Sequence, residues 1–272
     1  MLQAFSLAFL VGLIFCLIMA IKAPKVGGLF AAIMLFTHIF GIRPAAKRYV
    51  KTVKIAHIQE GMRTLIKQLT YHEKKGIPTE TIVKAGFLPV VHPNNIVIRD
   101  TVKGTYQAMP IFLTDVTTDY ESQTTTNKSG LDYLAGCYLE IKLSKKPDFD
   151  FVILSGGSVP ASAFEKQCAT LTGTNIHIDG KEEGYDFRVY APEGKTPADL
   201  PKDTMTAFSL LYEYTPGMPA LQVKGNYARI FIRNRFLYTH DLKQHTPVTP
   251  QLLGSNPFPE LNAMLRIIDT LK

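Results

Sequence analysis

The sequence predicts an α+β fold with an N-terminal transmembrane helical hairpin, a basic helix after it, and a mostly antiparallel soluble region. Three observations carry that expectation. Two apolar runs stand back to back at the N-terminus. Apolar residues then recur at helical spacing through residues 45–75. Beyond them, period-two strand patterns come in clusters rather than alternating with helices, which favours antiparallel sheets over βαβ units.

Ala4 to Ile21 is eighteen residues without a charge, with Ser6 as the polar exception. Val26 to Ile42 is seventeen more, interrupted by Thr37 and His38. Each run spans roughly 25–27 Å as a helix, slightly short of a bilayer core of about 30 Å. Lys22-Ala23-Pro24-Lys25 lies between them, followed by Gly27-Gly28, a composition suited to a tight turn. Residues 1–43 therefore read as a hairpin with spans at about 4–21 and 26–42. A cleaved signal peptide is the rival, but a basic n-region is missing before the first run. His38 falls inside the second span, and a neutral, locally hydrogen-bonded histidine near the span's end is the expectation.

The net charge of +7 is unevenly placed. Residues 1–75 hold eleven basic and two acidic side chains, a net of +9. The remaining 197 residues hold nineteen and twenty-one, a net of −2. A nucleic-acid binder would spread its basic charge over a folded face, so that class is set aside. A basic segment abutting an apolar one instead suits a membrane surface. Five of these groups, Arg43, Lys47, Arg48, Lys51 and Lys54, lie within twelve residues after the second span. The loop between the spans has two lysines. The larger cluster stays cytoplasmic by the positive-inside rule, which places both termini and the soluble region there. Three cysteines without metal-ligand spacing fit a reducing compartment.

Residues 44–76 read as one basic juxtamembrane helix. Ile55, Ile58, Met62, Leu65 and Leu69 form its apolar stripe, at spacings of 3, 4, 3 and 4. The stripe is expected to pack on the chain's own domain or to self-associate. Arg43, Lys47, Arg48, Lys51 and Lys54 are the candidates for anionic lipid headgroups, each worth about 1 kcal/mol near a charged surface. Gly76 should end this helix, and Pro78 to Ala85 should form a short one closed by Gly86.

The soluble region, residues 77–272, follows as strands and then strands with helices. Ile96–Ile98, Ile111–Val116, Cys137–Leu143 and Phe149–Leu154 are the first set, with a hairpin tip at 122–127. Asn175–Asp179 and Asp186–Ala191 are next. Asp203 is a plausible N-cap for a helix carrying Met205, Phe208, Leu211 and Tyr212 on one face. Ala220–Lys224, Tyr227–Arg233 and Phe236–His240 suggest a three-stranded meander. A helix over Pro257–Leu271 closes the chain. A division into two subdomains, if there is one, is expected near 155–175.

The order of several short motifs resembles the bacterial family catalogued as domain of unknown function 3137. They are Gly86-Phe87-Leu88-Pro89, Asp100 with Gly104 before a strand, and Leu134-Ala135-Gly136-Cys137. Phe187-Arg188-Val189-Tyr190, Ile230-Phe231-Ile232 and a terminal helix reaching Leu271 complete the set, over roughly residues 45–272. The resemblance implies a bacterial inner-membrane protein with this architecture. It implies no activity, cofactor or catalytic residue.

Candidate chemistry is sparse. Ser155-Gly156-Gly157-Ser158 follows a strand and precedes a possible helix, the setting of an anion-binding loop, yet it lacks P-loop or dinucleotide spacing. His177 with Asp179, and His240, Asp241 and His245, fall short of a metal set. Cys137 lies on the apolar face of its strand and reads as a core thiol, and Cys168 as structural. No catalytic residue, metal or cofactor is assigned. The expected function is a membrane-anchored cytoplasmic module that binds a protein partner or itself beside the bilayer. A membrane-associated enzyme or small-molecule binder using the Ser155–Ser158 loop, and lipid sensing by the basic helix, are the alternatives.

Overall fold

The computed structural model describes residues 23–74, 76–90, 93–121, 131–155, 170–178, 185–215, 219–238 and 247–272, with Cys168 and several positions in 11–21. Contacts divide the chain into two units, residues 1–61 with 240–255, and residues 62–239 with 256–272.

In the first unit, α1 (Pro24–Thr37) starts with the proline in its first turn, where a missing N–H costs nothing. It passes through a π-helical turn at His38–Ile42 into α2 (Arg43–Met62) without a break. Gly28–Met62 is the one helix among the described residues long and apolar enough to cross a membrane. Val26, Leu29, Phe30, Ile33, Leu35, Phe36, Ile39 and Phe40 are 41–65 % exposed along it. Val11, Ile14, Phe15, Ile18 and Ile21 are also helical and exposed. Gly12 lies against Met34, close enough that a Cβ would sit 2.7 Å from its methyl carbon.

The second unit is built on a nine-stranded sheet in the order β1-β2-β3-β4-β9-β8-β5-β7-β6. Its strands are β1 (Lys67–Lys74), β2 (Val97–Tyr106), β3 (Met109–Glu121), β4 (Leu131–Lys142), β5 (Phe151–Ser155), β6 (Thr172–Ile178), β7 (Tyr185–Ala191), β8 (Pro219–Lys224) and β9 (Tyr227–Arg233). All eight pairings are antiparallel. One face buries Tyr138, Phe231, Ala220, Val152 and Tyr190 with Phe87, Leu88 and Ile82 of α3 (Thr79–Ala85) and its sequel. Gly86 closes α3 in the left-handed conformation that glycine adopts freely. The other face is covered by helices. Phe187 of β7 meets Phe208 and Tyr212 of α4 (Thr204–Tyr214) edge-on, at centroid distances of 5.4 and 5.6 Å. Thr204 of α4 and Thr270 of α6 (Glu260–Thr270) share a 2.9 Å hydrogen bond. A short α5 (Pro250–Gly254) belongs to the first unit, capped by the Thr249 hydroxyl accepting from Leu252 N–H.

Two expectations are corrected. The helix expected over 44–76 stops at Met62, and Lys67–Lys74 is an edge strand paired with β2. Leu69 extended the helical spacing by coincidence. Leu69, Tyr71 and Glu73 instead alternate inward at period two, the pattern of a half-covered strand. The third strand of the meander, expected over Phe236–His240, does not form at its described residues: Phe236–Tyr238 is irregular. Both edges of β9 are already filled, by β8 and by β4, so no further strand can pair there. A single sheet runs through both sides of residues 155–175. The hairpin tip at 122–127 lies outside the described residues.

Candidate functional site

Four of the five basic residues singled out by the sequence share one surface of α2. Arg43, Lys47, Arg48 and Lys51 are exposed and Lys54 is half-buried. Positions 43, 47, 51 and 54 follow helical spacing, so four of the five cations form a stripe. Ala46, Val53 and His57, offset from it by helical spacing, are buried. His57 is fixed from within the same unit: its Nε2 lies 3.0 Å from Ser255 O and 2.9 Å from Ser255 Oγ. The serine hydroxyl donates to Leu252 O, so it accepts from the histidine, and Nε2 carries the proton. Sequence reading passed over His57, because its partner is 198 residues away.

The glycine loop is only partly within view. Ser155 ends β5, is 3 % exposed, and its hydroxyl donates to Pro219 O at 2.9 Å. Its hydroxyl thus makes a hydrogen bond within the sheet. Gly156, Gly157 and Ser158 lie outside the described residues. So do Asp179, His240, Asp241 and His245 of the weak metal candidates. Among the described residues no group of three His, Cys, Asp or Glu side chains is placed to hold a metal.

Polar chemistry inside the sheet concentrates on β4, β9 and β8. Glu140 stands opposite Arg229, which stands opposite Gln222. Arg229 Nε donates to Glu140 Oε2 at 2.7 Å and its Nη1 to Gln222 Oε1 at 3.0 Å. Tyr138 OH donates to the same Glu140 oxygen at 3.0 Å. Burial, reinforced by the Glu140 charge, pushes the Tyr138 phenol well above its ordinary range. The Arg229 guanidinium also lies 5.2 Å from the centre of the Tyr227 ring. Each charged group here is met by a hydrogen bond, as burial in low dielectric requires.

On the opposite face, Cys137 is fully buried beside two carboxylates. Asp115 stands opposite it on β3 and accepts from Leu237 N–H at 2.7 Å. Glu260 pairs with Arg235 at 3.3 Å. Burial first, then Asp115 and Glu260, push the Cys137 thiol well above its usual pKa. A thiol nucleophile needs the reverse, a positive and accessible setting. Cys137 should therefore resist alkylation in the folded chain at pH 8 and react fully after denaturation, as timed labelling with mass spectrometry will show.

A shallow hollow is lined by Lys145, Lys146, Phe149, Asp199, Pro201 and Lys272. Asp199 also accepts from the Thr196 backbone N–H and hydroxyl, which hold its carboxyl below the usual range. The rim thus mixes both charge signs. Comparison with known proteins returns no matching family model, no matching curated protein and no matching solved structure.

Proposed function

We propose that the chain is an integral membrane protein. The N-terminal apolar segments form a helical hairpin, and the antiparallel domain is an interaction module held at the cytoplasmic face. One observation carries this reading. A helix with eight large apolar side chains exposed over Val26–Phe40 continues directly into exposed Arg43, Lys47, Arg48 and Lys51. Leaving a Val, Leu, Ile or Phe side chain in water forgoes roughly 1.5–3 kcal/mol of burial each. At 41–65 % exposure about half of that applies, roughly 6–12 kcal/mol over the eight, which still rivals the whole stability of a folded domain, about 5–15 kcal/mol. A hydrocarbon layer over this stretch removes the conflict. The Gly12–Met34 approach supports two helices lying side by side, since small residues let membrane helices come close.

The basic stripe then falls where anionic headgroups lie. It supports orientation first and lipid contact second. The buried Cys137 thiol and the Ser155 hydroxyl donated to Pro219 O lend no support to the enzyme alternative.

The topology is testable on the full chain. It should resist extraction from membranes by alkaline carbonate and be released by detergent. A C-terminal reporter that folds only in the cytosol should fluoresce. Carbonate release would refute the anchor. A silent cytosolic reporter with an active periplasmic one would reverse the orientation.

A further inference from the structure

The two edges of the sheet differ in kind. β1 is guarded against strand pairing: Lys67 and Lys74 end it, a bulge lies between Lys67 and Thr70, and Gln68 is held at φ 52°. Charge and irregularity are how edge strands avoid adding another chain. β6, at the other edge, carries neither device in its own sequence. Thr172-Gly173-Thr174-Asn175-Ile176-His177-Ile178 has no lysine, no carboxylate and no proline, and pairs with β7 in unbroken register over all seven residues. Thr172 to Asn175 are exposed. Among the described residues no strand lies on its outer side.

We propose that β6 is a homodimerisation edge, pairing antiparallel with β6 of a second copy about a twofold axis through Asn175. The inference rests on the membrane-anchored reading above.

Three features select a second copy. First, β6 is self-complementary. Centring on Asn175 sets Thr172 opposite Ile178, Gly173 opposite His177 and Thr174 opposite Ile176, so all seven residues pair and no like charges meet. Second, the neighbouring strand supplies matched charge. In β7, Arg188 stands opposite Asn175, and Asp186 opposite His177. A Cβ at Gly173 would lie 2.9 Å from Arg188 Nε, so the guanidinium reaches over the edge strand. It is also 5.1 Å from the Tyr190 ring centre. In the dimer the row through Gly173 continues to His177 and then Asp186 of the second copy. Each arginine therefore shares a sheet face with the other copy's aspartate, an arrangement of opposite charges that symmetry repeats. Third, a strand of seven residues is about 23 Å long, and such a seam buries less than the roughly 1,000 Å² of a free-standing interface. Confinement to one bilayer raises the local concentration that such a weak pairing needs.

The test uses the full chain in native membranes, with Cys16→Ala to leave only the buried Cys137 and Cys168. Asn175→Cys under mild oxidation should give a disulfide-linked dimer, severalfold more than Thr70→Cys on β1. Adding Thr172→Lys and Thr174→Lys, at exposed positions, should abolish it by like-charge repulsion while circular dichroism stays unchanged. Membrane-bound Asn175→Cys that stays monomeric overturns the proposal. So does a crosslink that survives the lysines, or one formed to a different protein. Appearance in the soluble fraction would instead refute the membrane anchor, and the crosslink would still judge the pairing there.

Discussion

Replacing Glu140 with leucine lowers the stability of the sheet domain by about 3–5 kcal/mol, because Arg229 is left charged and buried. The two side chains are 10 % and 8 % exposed and meet at 2.7 Å. Gln222 takes only one guanidinium nitrogen, and Tyr138 OH loses its acceptor as well. The melting temperature falls by roughly 2–4 °C for each kcal/mol in a domain of this size, which differential scanning calorimetry resolves. Arg229→Met added to Glu140→Leu should recover most of the loss, since removing both charges leaves nothing unpaired. If the double variant is no better than the single one, the ladder is held by shape rather than charge.

Gly136→Val should be worse still, with a loss above about 4 kcal/mol and largely insoluble protein. Gly136 lies on β4 at the seam with β9. A Cβ there would be 2.1 Å from Ile232 O and 2.9 Å from the Phe231 ring. Backbone cannot step aside as a side-chain tip can. Relief requires parting β4 from β9, the contact that joins β1–β4 to the other five strands. Protease resistance of the folded chain should vanish in this variant. Gly254→Ala, with nothing within 4 Å of its Cβ, serves as the tolerant control.

Local pattern made much of this fold readable. Period-two alternation located β4, β7 and β9, and helical spacing located α4 and α6, because each buries one face whatever lies opposite. The same logic misplaced Leu69, which satisfies a helical period and a strand period at once. The expected meander failed because an alternating sequence does not say which strands are its neighbours. For the site residues, the sequence marked the cations of α2, and their exposure follows from helical spacing. It missed Glu140, Arg229 and Gln222, which look like solvated strand positions until their partners are known. Arg229 and Glu140 are 89 residues apart.

By itself, then, the sequence determined an α+β chain with two apolar N-terminal segments, a +9 collar and a nearly neutral remainder. Those properties depend on composition and on periods of a few residues. Only the tertiary structure decided that β9 enters between β4 and β8, that a buried ion pair forms there, and that β6 is the last strand of the sheet. Sheet order is set by long-range pairing, where the whole chain's burial and hydrogen bonding choose among strands that look alike locally.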